Sequence, residues 1–199
     1  MIAPTVTSLA GRSASSPRAA SRISFSASSG RRRLRFGSVT GLETGQQVRT
    51  FQGTCQFSGV LSQQPPITNL PQPGAATARA VGTCSGTLTG KNGRVRELDA
   101  SPARYVARAA GDISCGGGTA AGRGFIRVAG KKLRFLFSEV RGPGAAAVRL
   151  EGRVGGSAAG EARVSDDEDP LEIAQKCSGP GLGSVRIDID IATTPAISG

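Results

Sequence analysis

From Phe51 onward the chain alternates with a period of two, and this constrains its fold more than any other feature. Phe51, Gly53, Cys55, Phe57, Gly59 and Leu61 fall on one face; Gln52, Thr54, Gln56 and Ser58 fall on the other. Successive side chains of a strand point to opposite sides, so the segment reads as a half-buried strand. The pattern then recurs. A strand at about 77–89 carries Cys84, and its GTCSGTL echoes the earlier GTCQFSGVL. Segments 105–115 and 122–128 read as a hairpin joined by the glycines at 116–118. Leu133, Phe135 and Phe137 alternate with Arg134, Leu136 and Ser138. After a turn at 141–144, Val148, Leu150, Gly152 and Val154 alternate with Arg149, Glu151 and Arg153. A Gly155–Gly156 break leads to a short strand near 158–164. The closing segment is the clearest, with Val185, Ile187, Ile189 and Ile191 opposing Arg186, Asp188 and Asp190.

Punctuation supports the same reading. Asn92–Gly93 marks a tight turn. QQPPITNLPQPG at 63–74 reads as a Pro-rich connector, because proline lacks the N–H that a central strand donates. Only DPLEIAQKC at 169–177 reads as helical, with Asp169 placed to cap it and Pro170 at its first position. The expected fold is all-β: an antiparallel sandwich or barrel of about eight strands with one short helix near the C-terminus. The closing strand should bury its four β-branched residues and turn Asp188 and Asp190 to solvent.

Such a core is short of bulk, since aromatic residues make up 4% of the chain and tryptophan is absent. It calls for covalent help. Four cysteines stand at Cys55, Cys84, Cys115 and Cys177, none of them in a closely spaced pair. Zinc sites usually draw on such pairs, so the spacing favours two disulfides and an oxidising compartment. Four buried free thiols in a reducing compartment are the alternative. Cys55 and Cys84 share a GTC context and can face each other across neighbouring strands or sheets. Cys177 follows the helix and would then take Cys115. Two other connectivities are open to four cysteines.

The first 48 residues differ in kind. Residues 1–42 hold seven arginines and no acid, many serines and no apolar period, whereas residues 43–199 hold 18 basic and 14 acidic side chains. The expectation is a disordered basic Ser/Arg-rich tail at 1–48 and a single β domain at 49–199. The tail has no apolar run of the length a signal peptide needs, which conflicts with the disulfides. It has the composition of a transit peptide or of a basic arm; a misassigned start site is the preferred resolution. The expected location is extracellular or at the cell envelope.

FQGTCQFSG, GTCSGTLTG, DISCGGG and the final CSGPGL before an alternating strand resemble a loose group of small secreted β-rich proteins from high-GC Gram-positive bacteria. The resemblance covers about residues 50–199. It implies a β fold and export, and it supplies no catalytic residue. The missing export signal departs from that pattern.

Histidine is absent from the whole chain. This excludes Ser-His-Asp and Cys-His catalysis and every His-ligated metal. Asp166, Asp167, Glu168 and Asp169 are consecutive and lack the alternation of a calcium loop, so they read as a solvated turn before the helix. Asp188 and Asp190 share a face by default in a half-exposed strand. Ser114 and Cys115 precede a glycine run but have no base to activate them. Arg31, Arg32, Arg33 and Arg35 form the densest basic cluster, without the aromatic strand of an RNA reader.

No residue is therefore assigned a catalytic, cofactor-binding or metal-ligating role, and no cofactor is expected. The function expected is that of a non-catalytic exported module binding an unknown protein or cell-surface ligand. Two alternatives stay open: a carboxylate-dependent hydrolase acting on glycans, and nucleic-acid binding through the tail, the latter disfavoured. No apolar stretch approaches the length of a membrane span.

Overall fold

The computed structural model describes residues 49–193 and 195–199, so the tail expected at 1–48 lies outside the described residues. The elements are β1 (Thr50–Ile67), β2 (Gln72–Thr89), β3 (Val95–Ser114), β4 (Gly117–Val128), β5 (Lys131–Gly142), β6 (Ala145–Gly152), β7 (Ser157–Val164), α1 (Pro170–Ser178), β8 (Leu182–Thr193) and β9 (Ile197–Ser198). Strands β1 to β7 each pair antiparallel with the next, and β8 pairs back onto β1. The result is a closed eight-stranded antiparallel barrel with one short helix near the C-terminus. Closure removes the free edges that an open sheet would expose. The two-residue β9 adds to the start of β1, with Ile197 opposite Phe51.

Alternation decides what faces inward. Val185, Ile187, Ile189 and Ile191 of β8 are all buried, as are Leu133, Phe135 and Phe137 of β5. Fully burying one such side chain contributes about 1.5–3 kcal/mol relative to leaving it in water. Gly124 lies opposite Phe135, and the Phe135 ring occupies the place a Cβ would take. A side chain at Gly124 would displace that ring, so the glycine is part of the packing.

The Pro-rich connector is corrected. Strand β1 runs through Pro65 and Pro66 to Ile67, and β2 begins at Gln72, leaving only residues 68–71 as the loop. The ladder accommodates the prolines because the β1–β8 register shifts between Ser62 and Ile67, where donors are not required. Pro102 of β3 likewise sits beside the register shift that opens after Cys84.

Cys55 and Cys84 are directly opposite one another on β1 and β2 and are bonded inside the barrel. Cys115, in the β3–β4 turn, is bonded to Cys177 in the last turn of α1, with Cα atoms 6.0 Å apart. The second bridge ties the helix to the barrel rim. Asp169 caps α1 by accepting from the Leu171 N–H at 2.9 Å, and Lys176 pairs with Glu172 one turn earlier at 2.6 Å.

Candidate functional site: a cavity at one end of the barrel

An eight-stranded barrel has an interior just wide enough to be filled by bulky side chains or to hold one small ligand. Here one half is filled and the other is not. At the end where β1 and β3 begin, Phe51, Leu88, Leu98, Ile126, Leu133, Leu150 and Ile197 meet and are almost wholly buried. At the opposite end, inward positions hold Ala76 and Ala78 of β2, Ala107 and Ala109 of β3, Ala146 of β6 and Ala162 of β7. Those alanines leave a cavity of about 750 Å³. The size lies within the 300–1,000 Å³ common for small-molecule sites.

Phe137 and Tyr105 line the cavity, and its apolar wall is completed by Leu61, Val148, Ile187 and Ile189. Tyr105 bridges Phe57 and Phe135, with ring centroids 5.6 and 5.7 Å away, so it is held by a stacked ring on one side and a tilted one on the other. Over the mouth lies α1, which contributes Pro170, Ile173, Ala174 and Cys177. The Cys115–Cys177 bridge holds it there.

A buried charged pair stands in this mostly apolar space. Glu139 and Arg141, alternate residues of β5, both turn inward, with side chains only 11% and 9% exposed. The Arg141 Nε and Nη2 donate to one Glu139 oxygen at 2.8 and 2.6 Å, and Arg141 Nη1 donates to Gln63 Oε1 at 3.0 Å. A buried charge persists only when paired and hydrogen-bonded, and all three guanidinium nitrogens are engaged. The pair is neutral overall, so it presents polarity to the cavity without net charge. Burial, and secondarily the Glu139 carboxylate, push the Tyr105 hydroxyl well above the ordinary tyrosine value. It is therefore a neutral phenol, able to donate, throughout the physiological range.

Of the residues weighed as candidates, Ser114, Cys115, Asp166 and Glu168 line the cavity and the other described ones sit elsewhere. Asp188 and Asp190 face outward; Asp188 accepts from Ser58 at 2.5 Å, and Asp190 is paired with Arg163 at 2.9 Å. Hydrogen bonds from Ser58 and Ser165 hold the Asp188 carboxyl below the ordinary aspartate value. In the acidic run, Asp169 caps α1, Glu168 accepts from the Arg186 N–H at 2.7 Å, and Asp167 approaches Arg186 at 3.6 Å. The run thus fastens the β7–α1 loop to β8. Ser114 donates to Gly117 across the hairpin turn, and Cys115 is spent in its disulfide. The arginine cluster at 31–35 lies outside the described residues.

Gln63, Tyr105, Glu139 and Arg141 were not singled out from the sequence. A signal existed: carrying the alternation Leu133, Phe135, Phe137 two steps further puts Glu139 and Arg141 inside. The turn residues Gly142, Pro143 and Gly144 obscured it, as the connector prolines obscured Gln63.

Fold and site together define a closed antiparallel barrel with a mostly apolar, one-ended cavity and two disulfides that indicate an oxidising setting. Among the described residues, no helix is long and apolar enough to cross a membrane. Comparison with protein families, with curated proteins and with solved structures found no match.

Proposed function

We propose that this chain is a non-catalytic binding module of an oxidising, extracytoplasmic setting. Its ligand is one small, uncharged and largely apolar molecule held inside the barrel. The observation that carries the reading is the cavity of about 750 Å³, whose barrel wall is apolar apart from Gln63, Tyr105, Ser114, Arg163 and the Glu139–Arg141 pair, with Asn69, Ser165, Asp166 and Glu168 of the flanking loops also lining it. A ligand carboxylate would have to compete with Glu139 for Arg141, whose three nitrogens are already engaged. A hydroxyl or carbonyl meets no such competition. Export is supported by the two disulfides, and the absence of histidine from the chain favours binding over acid–base chemistry.

A carboxylate-dependent hydrolase is less well supported. Such an enzyme needs two acids free to act across a cleft. Of the three acids lining the cavity, Glu139 is tied to Arg141 and Glu168 to the Arg186 backbone, which leaves the exposed Asp166 without a second free acid.

Tyr105 is the only tyrosine in a chain without tryptophan, so its fluorescence reports on the cavity alone. Dodecanol should change that signal saturably with one-to-one stoichiometry by native mass spectrometry. Dodecanoate should bind at least tenfold more weakly. Ala78→Phe, which fills the cavity, should abolish binding in a protein that still folds. Unchanged binding in Ala78→Phe, or tighter binding of dodecanoate, would sink the proposal.

A further inference from the structure

Outside the barrel, charge is segregated by strand register. Three successive cross-strand rows run over the outer face of β2, β3, β4 and β5. The first is Arg79, Val106, Phe125, Arg134; the second is Val81, Arg104, Arg127, Lys132; the third is Thr77, Arg108, Arg123, Leu136. These twelve positions carry seven cations and no acid. The rest of the described chain holds eleven basic side chains against thirteen acidic ones, so the net positive charge of the domain resides in this one face.

The arrangement works against the fold. Arg104 opposes Arg127, Arg127 opposes Lys132, and Arg108 opposes Arg123. Like charges directly opposite on neighbouring strands are destabilising. None of the seven cations takes part in an ion pair among the described residues. Glu151 lies opposite Leu136 at the border of the face, and its ion-pair partner is Arg149 at 3.8 Å. Elsewhere on the barrel Arg163 lies opposite Asp188 and is paired with Asp190. A concentrated, unneutralised cationic face is one that an anionic partner would stabilise.

Apolar side chains choose among anionic partners. Val81 and Leu136 are 67% and 57% exposed within the cationic rows, and Val106 lies half-buried between them. A hydrated phosphodiester chain would leave these residues in water. Single-strand binding also needs aromatic platforms, and Phe125, the one ring in the face, is covered by Lys132 Nζ at 3.9 Å. A lipid surface uses both kinds of residue: arginine and lysine stems lie along the interface while their heads meet phosphates, and the short apolar side chains enter the headgroup layer.

We infer that the outer face of β2–β5 docks on an anionic lipid bilayer surface. The contact is peripheral: the four strands span about 15 Å and the cations lie at the headgroup level. Binding is electrostatic in range and so falls as salt shortens the Debye length from about 10 Å at 0.1 M.

The test is co-sedimentation of the full chain with vesicles of phosphatidylcholine alone or mixed with phosphatidylglycerol. Binding is expected to the mixed vesicles only and to be weakened by salt. Replacing Arg104, Arg108, Arg123 and Arg127 together by Gln should reduce it more than tenfold. Val81→Ser with Leu136→Ser, which leaves every charge in place, should reduce it several-fold. Both sets are outward-facing, and unchanged Tyr105 fluorescence checks that each variant is folded. Retention of binding by the Gln variant would assign it to the basic N-terminal segment and overturn the inference. So would an oligonucleotide that competes fully while the Ser variant binds vesicles as well as the parent, which would mark a nucleic-acid surface.

Discussion

The two halves of the barrel interior are built from the same strands with the same alternation, yet one is core and the other is cavity. In the half floored by β9, inward positions hold phenylalanine, leucine and isoleucine, and the space is filled. In the half under α1 the same strands, further along, place alanine at Ala76, Ala78, Ala107 and Ala109. Period-two alternation sets which residues point inward; their volume sets whether the inside is solid. Each half is closed in a different way. Ile197 plugs the filled half by apolar contact, while α1 covers the hollow half through the Cys115–Cys177 bridge.

The comparison can be broken first at that bridge. Replacing Cys115 and Cys177 together by Ala should cost about 4 kcal/mol in the chain-entropy picture for a 62-residue separation. It should also speed hydrogen exchange in α1 more than in β4. Equal exchange in both elements would mean that the helix is held by packing alone.

Leu150→Ala, at the filled end, should cost about 3–4 kcal/mol, read as a shift in the denaturant midpoint. Ile189→Ala should cost about 2 kcal/mol, because Ile189 faces existing space and its removal leaves fewer broken contacts. An equal cost at both sites would show that the two halves are packed alike.

Additions should reverse the contrast. Ala80, buried outside the cavity wall, has no room for a larger residue, so Ala80→Leu should destabilise by about 1–3 kcal/mol. Ala107→Leu projects into the cavity and should change stability by less than about 1 kcal/mol while displacing dodecanol. If Ala107→Leu proved the costlier, the cavity would be closed in solution.

The last effect appears only in alkali and is absent at neutral pH. Because Tyr105 has a raised pKa, the folded state keeps its proton where the unfolded chain releases it. Its contribution is complete below the ordinary tyrosine value near 10 and is lost as pH rises beyond it, by at most about 1.4 kcal/mol per pH unit. Tyrosinate absorbance should appear in folded protein only well above that value and at the ordinary value in denaturant. Normal titration of the folded chain would place the ring in open solvent.

What could be read without coordinates was local. Alternation named the inward residues of β5 and β8, and Asp169 with Pro170 marked the start of α1, because pleat and helix cap depend on neighbours a few positions away. The matching GTC contexts paired Cys55 with Cys84 across neighbouring strands or sheets, and the structure has them directly opposite on neighbouring strands. Three things were decided only by tertiary structure. Closure into a barrel depends on β8 returning to β1 across more than 100 residues. The cavity depends on which alanines end up at the same height on different strands, and the β1–β8 and β2–β3 register shifts alter that height. The cationic face depends on the same registers, which bring Arg104, Arg127 and Lys132 into one row although they are scattered along the chain. Register and closure are set by contacts between distant segments, and no period within a strand encodes them.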